Sequence, residues 1–329
     1  MIVEFISRAI LLSIPLLFGA TGEILTEKSG HLNLGIPGIM YGGAIGGVIG
    51  AFLYENACGN VAENMNPFLA ILIPLLTSMI FSMLMGLIYS FMTVTLRANQ
   101  NVTGLALTTF GIGLGNFFGG SLTKLVESDL PSIALTKTSK FFKAELPFAK
   151  DLGWFGEIFF SHDFLAYSAI LIAILATIFL TKTRVGLNLR AVGENPATAD
   201  AAGINVTAYK YAGTIIGSAI AGLGGLQYVM AYADGVWSNN AFGDRGWMAI
   251  ALVIFALWKP SMAIVGSFLF GALCNANNYL KGLGTETQEL FKMLPYIVTL
   301  VVLIITSMRK KREHQPPESL GLPYFREER

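Results

Sequence analysis

The sequence predicts an all-α polytopic membrane protein of about nine to ten helices, and three observations carry that prediction. Of 329 residues, 53% are hydrophobic and 13% are charged, with a mean hydropathy of +0.60; a soluble globular chain carries about 25% charged residues. The charges gather in a few short stretches with long apolar runs between them. Most of those runs approach the roughly 20 apolar residues that a spanning helix needs. A soluble chain of this size requires charge on every helix face that meets water, and most of these runs have no such face.

The first run, Phe5–Thr21, follows Glu4 and a single Arg8 rather than a basic segment, and Phe18 stands where a small residue would precede cleavage after Ala20. It therefore reads as a retained span and not a signal peptide. The next spans are Gly35–Tyr54, Pro67–Leu96, Val102–Leu122, Phe164–Leu180 and Ala208–Tyr232. The short Trp247–Leu257 is divided from Ser261–Asn277 by Trp258-Lys259-Pro260, a tight surface turn, and Met293–Met308 closes the series. In the second span Gly42, Gly46 and Gly50 form one row and Gly43 and Gly47 another. Small residues at that spacing let helix backbones approach closely; the rows serve packing, with pathway lining as the alternative.

Orientation follows from Lys and Arg in short loops. Arg309-Lys310-Lys311-Arg312 places the tail after Met308 in the cytoplasm. Counting back, 281–292 lies outside, Lys259 inside, 233–246 outside, 182–210 inside, 123–163 outside and Arg97 inside. Nine simple spans put the N-terminus outside, a parity that one re-entrant glycine-rich segment would change. Residues 1–308 thus form one transmembrane domain, with a cytoplasmic tail at 309–329. From Glu313 onward that tail is polar and proline-bearing, a composition that predicts disorder.

Segment 123–163 carries amphipathic pieces such as Phe141–Leu146 and reads either as an outer cap or as a plain interfacial loop. Segment 182–210 is too polar to span, yet its local signals are those of a folded element. Asn195 before Pro196 is a helix start. Ala197, Ala199, Ala201 and Ala202 favour helix, and Gly203 before Ile204 is a stop. The result is a cytoplasmic helix of about two turns flanked by Arg190 and Glu194, narrow enough for a groove on another protein; a bland loop is the alternative.

Polar side chains inside spans are costly and mark candidate pathways. Asn33, Asn99, Gln100, Asn101 and Thr103 lie at the ends of apolar runs, and Asn116, Gln227 and Asn275 lie within others. Amides both donate and accept hydrogen bonds, which suits a neutral sugar or base; Phe110, Phe117, Phe118 and Trp247 offer faces for stacking. Each amide has the alternative of a helix–helix bond or a cap, and each aromatic that of packing. No chain of intramembrane ionisable groups is evident, which counts against a stand-alone proton-coupled secondary transporter. Two cysteines and three histidines are scattered, so the sequence predicts no metal site, no bound cofactor and no enzymatic activity. At a net charge of +1 it predicts no nucleic-acid surface.

The run Gly186–Val206, GLNLRAVGENPATADAAGINV, resembles the cytoplasmic coupling region of the branched-chain amino acid and sugar permeases of ABC importers. More narrowly it resembles nucleoside-type permeases that work with a basic-membrane-protein lipoprotein. Further matches run in order: Thr26–Ile36, Arg97–Gly104, Ala221–Gly225 and Trp247–Pro260. Together they span roughly Gly19 to Asn278, with one departure, Pro37, where the family pattern has Glu. The resemblance implies a permease fold like those of the vitamin B12 and ribose importers. It implies a nucleoside as solute, with simple sugars or riboflavin as alternatives. It also implies three partners besides membrane lipid: a cytoplasmic ATPase, a second and different permease subunit, and an extracytoplasmic substrate-binding lipoprotein. Arg190, Glu194, Asn195, Pro196, Ala199, Ala202, Gly203 and Ile204 would then form the ATPase-coupling segment. The chain has no GxxxxGK[ST] loop, so ATP and Mg²⁺ would sit on the ATPase, and the setting is the cytoplasmic (inner) membrane.

Overall fold

A computed structural model describes residues 2–125, 132–143, 150–279, 290–291, 293–309 and 315–326. Six helices are long and apolar enough to cross a bilayer. They are α1 (Ile2–Glu27), α2 (Ile36–Ala57), α3 (Pro67–Ser90), α4 (Gln100–Leu125), α7 (Phe164–Lys182) and α10 (Val206–Gln227). A π-type turn, Phe91–Thr95, prolongs α3, and another, Tyr228–Tyr232, prolongs α10. The shorter apolar helices α11 (Arg245–Phe255), α12 (Pro260–Tyr279) and α13 (Leu294–Arg309) complete the bundle. The chain is a multi-pass membrane protein, and the nine spans read from the sequence each coincide with a helix.

Successive spans alternate between two ends of the bundle. The basal end gathers residues 28–35, 96–99, 183–205, 256–259 and 315–326, and the apical end gathers 58–66, 132–143, 150–163 and 233–244. α1 starts at the apical end, where the Phe5 carbonyl accepts a hydrogen bond from Asn275 of α12 at 2.9 Å.

The interior is built from α1, α2 and α10, and glycines decide how closely they pack. A methyl on Gly22 of α1 or Gly217 of α10 would overlap the carbonyl oxygen of the other. The two rows on α2 face different neighbours: Gly43 and Gly47 meet Gly222 and Leu226 of α10, while Gly46 and Gly50 meet Phe81 and Thr77 of α3. Both rows are therefore packing surfaces, and α2 is enclosed within the chain. The peripheral helices instead turn apolar faces outward: Leu76, Ile80 and Leu84 on α3, Phe110 and Phe117 on α4, Leu171 and Leu175 on α7, and Leu300 and Ile304 on α13.

At the apical end, β1 (Ser132–Ala134) pairs antiparallel with β2 (Val236–Ser238), with Ile133 opposite Trp237. Two short helices, α5 (Thr136–Phe142) and α6 (Gly153–Phe159), lie in the same region. Glu55 at the end of α2 accepts hydrogen bonds from the Thr138 amide at 2.9 Å and its hydroxyl at 2.7 Å, stapling the first turn of α5 to the bundle. Ser139 donates to the Met230 carbonyl at 2.7 Å, and Lys143 pairs with Asp234. Segment 123–163 is thus a folded cap where it is described; residues 144–149, the second half of the amphipathic Phe141–Leu146 piece, lie outside the described residues.

At the basal end, α8 (Arg184–Glu194) and α9 (Pro196–Ala201) occupy segment 182–210, for which the sequence suggests a coupling role. Residues 315–326 lie folded against them, which corrects the expectation of a disordered tail. The correction has a physical cause: Ser319, Tyr324 and the local backbone find hydrogen-bond partners there, and Ser319 is buried. Residues 281–289 and most of the basic run after Arg309 lie outside the described residues.

Candidate functional site: a coupling ridge and an apical amide cluster

The coupling segment is shaped by caps. Thr183 accepts from the Gly186 amide at 3.0 Å and starts α8. Asn195 accepts from the Thr198 amide at 2.9 Å, with Pro196 at the first helical position, and starts α9. Gly203, at φ +82°, ends it, and the Ile204 amide returns to the Ala199 carbonyl at 3.0 Å. Asn205 then caps α10 from the Ala208 amide at 3.0 Å. The helix start and stop expected from sequence are both present, and α8, eleven residues long, is an addition to them.

One side of this unit is sealed. Val192, Ala199 and Val206 form a small apolar core with Ile204, Tyr209 and Tyr324 packed on it. The other side is an open ridge of Asn195, Ala197, Thr198, Ala201, Ala202 and Gly203, every one of them exposed, small and uncharged. Among the coupling residues named from sequence, the structure separates two kinds. Asn195, Ala202 and Gly203 face out, while Ala199 is buried and Ile204 sits beside the core. Arg190 and Glu194 line a cavity of about 480 Å³ with Lys28, Trp258 and Lys259. Burial pulls the Lys28 ammonium down to about 8, the Glu194 charge opposing and the Arg190 charge assisting.

Beneath the ridge, residues 28–35 are held almost atom by atom. Tyr89 donates to the Leu32 carbonyl at 2.6 Å, Gln100 accepts from the Leu32 amide at 2.7 Å, and Asn33 accepts from the Gly35 amide at 2.9 Å. Thr108 donates to the Leu34 carbonyl at 2.8 Å, and His31 is bonded to Thr214 at 3.0 Å. Burial, with help from the Lys210 charge, holds the His31 ring well below its ordinary value. α1 runs on past Thr21, where the sequence ends the span. Glu23 and Glu27 are therefore buried, Glu23 accepting from the Asn33 amide at 3.2 Å and Glu27 from the Trp258 indole. With the buried Lys210 they qualify the expectation of a bundle free of ionisable groups. They are missing from that reading because a hydropathy window drops a helix's polar last turns.

The apical end holds a second cluster. Tyr41 of α2 donates to the Asn116 amide oxygen at 2.5 Å and accepts from the Asn240 amide at 3.0 Å; Asn116 donates to the Asn240 side-chain oxygen at 3.0 Å. The Tyr41 ring lies 5.0 Å from Trp237, whose indole donates to Asn239 at 3.2 Å. Arg245 stands 4.3 Å over the Tyr228 ring and donates to the Phe242 carbonyl at 2.7 Å. Asn239 and Asn240 are exposed, Asn116 is half-buried, and Phe117 beside it is 68% exposed. The arrangement presents the amides of Asn239 and Asn240 and the ring of Phe117 on an open face of α4 and segment 233–244, with Tyr41 and Trp237 buried behind them.

Only one of the pathway residues named from sequence, Asn116, stands in this cluster. Asn33 and Gln100 position the 31–35 turn instead. Asn99 accepts from the Val102 amide at 3.1 Å, and Thr103 returns its hydroxyl to the Asn99 carbonyl at 2.8 Å, both as caps of α4. Asn101 is exposed on the first turn of α4, and Trp247 is half-buried on α11. Gln227 is wholly buried beside Asp163, and Asn275 ties α12 to α1. Tyr41, Trp237, Asn239 and Asn240 were missed. The signal was present in the Trp-Ser-Asn-Asn run, but it lies in a stretch that hydropathy marks as a plain outer loop. Pro37 packs against Gly246 at the head of α11, next to Arg245 and one turn before Tyr41 on α2.

Residues 5–303 match the family described as the branched-chain amino acid transport system / permease component. The nucleoside ABC transporter permease protein NupC of Lactococcus lactis subsp. cremoris is 32% identical over 304 residues, 91% of each chain. The guanosine ABC transporter permease protein NupQ of Bacillus subtilis is 29% identical over 319 residues, 96% of this chain and 94% of its own. The candidate glucose ABC transporter permease protein TsgC13 of Haloferax volcanii is 33% identical over 258 residues, 78% of this chain and 72% of its own.

Proposed function

The chain belongs to the branched-chain amino acid transport system / permease component family, and from that membership we propose that it forms half of the translocation pathway of an ATP-driven nucleoside importer. The family supports the transport role. The nucleoside assignment draws on two relatives whose names carry that solute and which align with more than nine-tenths of the chain. A simple sugar is the second reading, favoured by the Haloferax relative; both solutes carry a polyhydroxylated ring.

In this reading the basal end faces the cytosol, the carboxyl-terminal segment with it, and the membrane is the cytoplasmic one. A separate ATPase, which carries ATP and Mg²⁺, receives the α9 ridge in a cleft. The observation that carries the docking role is the ridge itself: small exposed side chains backed by a sealed core, on a segment that caps stiffen at both ends. Nucleotide binding would draw the two ATPases together and move α9. The permease then passes between two states that the ATPase contacts differently, which is what a load must do to shift a conformational equilibrium. The apical amide–aromatic face lies open on one side, and a second, different permease subunit would close it into a pathway. There the amides of Asn116, Asn239 and Asn240 would meet ring hydroxyls or base edges, and Phe117 would supply a flat contact, with the buried Tyr41 holding Asn116 and Asn240 from behind. A lipoprotein would deliver the solute to the cap formed by α5, α6 and the β1–β2 pair.

The test is reconstitution in sealed vesicles with the companion ATPase, the second permease subunit and the substrate-binding lipoprotein. Wild-type vesicles should take up labelled guanosine or uridine in an ATP-dependent way and leave glucose outside. Ala202→Trp, which thickens the ridge, should lower ATPase retention on the purified permease at least tenfold while membrane insertion is unchanged. Undiminished retention would sink the docking role, and glucose uptake in preference to guanosine would exchange the first reading for the second.

A further inference from the structure

Residues 315–326 contact three of the basal connections: the turn after α1, the α3–α4 turn with the start of α4, and the α8–α9 segment. The Ser319 amide and hydroxyl both donate to the Gly193 carbonyl at the end of α8, at 3.1 and 2.6 Å. The Glu318 amide reaches the Glu194 carboxylate at 3.4 Å, and the Gly321 amide reaches the Gly30 carbonyl at 3.4 Å. Tyr324 donates to Asp200 of α9 at 2.8 Å, and Arg326 pairs with the same carboxylate oxygen at 3.2 Å. Gln100, which already accepts from Leu32, approaches the Leu322 carbonyl at 3.5 Å, and Arg97 in the α3–α4 turn lies 4.7 Å over the Phe325 ring.

The seat of this segment leaves no slack. A methyl on Gly193 would run into the Lys28 carbonyl, and one on Gly30, at φ +88°, would lie 2.8 Å from the Ser319 hydroxyl. The segment therefore rests where α8 and the turn after α1 already touch backbone to backbone. Asp200 is the half of α9 turned away from the open ridge, and Tyr324 packs on the Val192–Ala199–Val206 core.

We propose that residues 315–326 are a strap that clamps α9 to the basal ends of α1, α3 and α4, so that a pull on the ridge is delivered to several helices at once. The mechanical consequence rests on the docking role of α9; the clamp itself does not. Without it α9 would lose the Asp200 contacts to Tyr324 and Arg326 and keep its two ends and the Val192–Ala199–Val206 core on which Ile204 and Tyr209 pack.

The experiment uses the assembled transporter in lipid nanodiscs, comparing the full chain with a chain ending at His314 and with the double substitution Ser319→Ala, Tyr324→Phe. Amide hydrogen exchange over 196–204 and 28–33 reports the clamp directly, because it reads local opening. Exchange in both stretches should rise about tenfold on truncation, and by a smaller factor in the double variant, which keeps the backbone contacts. In sealed proteoliposomes of the same transporters, the ratio of solute imported to ATP hydrolysed should fall in the same order. Unchanged exchange in both variants would overturn the strap, as would faster exchange over 196–204 with none over 28–33. Ala202→Trp serves as the separate control: normal ATPase retention by that variant removes the docking role and leaves the exchange result to judge the clamp.

Discussion

The two ends of this bundle are finished in different ways. At the basal end nearly every polar group is committed to a neighbour in the same chain: the 28–35 turn is bonded residue by residue, and the coupling segment is capped, cored and strapped. At the apical end the polar groups are bonded among themselves, yet Asn239, Asn240 and Phe117 still face outward. Away from the exposed α9 ridge, the first end is closed upon itself, while the second leaves polar side chains open to the outside. A substitution inside the basal end should therefore act through folding, and one at the apical cluster, in the proposed reading, through transport.

The largest expected effect tests the basal half of that contrast. Gly193→Val places carbon against the Lys28 carbonyl, backbone against backbone, where neither side can yield. Overpacking of this kind costs about 1–3 kcal/mol or more, and the variant should be lost from the membrane fraction. A stable, correctly inserted Gly193→Val protein would mean that the basal end has slack.

Next in size is Asp163, a buried carboxylate before α7 at the apical end. Burial pushes it up to about 6, with the Gln227 amide and the first amides of α7 pulling the other way. An acid raised in the fold contributes stability fully present below its unfolded value of 3.8 and lost as pH rises through about 6. Asp163→Asn, which stays neutral, should exceed the natural protein in thermal stability at pH 7.5 by the equivalent of about 3 kcal/mol, and the gap should close by pH 4. A gap that widens on acidification would reverse the assignment.

Smaller still, and the sharpest test of the contrast, is Asn116→Leu at the apical cluster. It removes bonds to Tyr41 and Asn240 on a half-exposed face. Uptake should fall about tenfold, the equivalent of about 1.4 kcal/mol, with expression and ATPase retention unchanged. Loss of the folded protein instead would place this cluster with the basal end, as structure and not as pathway.

How much was legible in sequence follows the same division. Spans, the Trp258–Pro260 turn and the α9 caps are written in local chemistry: apolar runs, a Lys-Pro break, Asn before Pro, Gly after Ala. The rest depended on partners distant along the chain. Asn33 and Gln100 look like pathway amides until the turn they hold is seen. Tyr41 reads as one more apolar residue until Asn240, 199 positions away, is found on its hydroxyl. The 315–326 segment has the composition of a solvated tail, and only the carbonyls waiting at Gly193 and Gly30 make it otherwise.

The α9 ridge has a further consequence. Its exposed residues bear no charge, and the one acid of that helix is occupied on the far side by Tyr324 and Arg326. Dissolved salt screens exposed charges beyond a Debye length of about 8 Å at physiological ionic strength, and at higher salt that length shrinks and weakens surface ion pairs too. A joint made from methyls, one amide and one hydroxyl gives such ions little to shield, so if an ATPase holds this ridge as proposed, its grip should survive brine that strips off partners held by opposite charges.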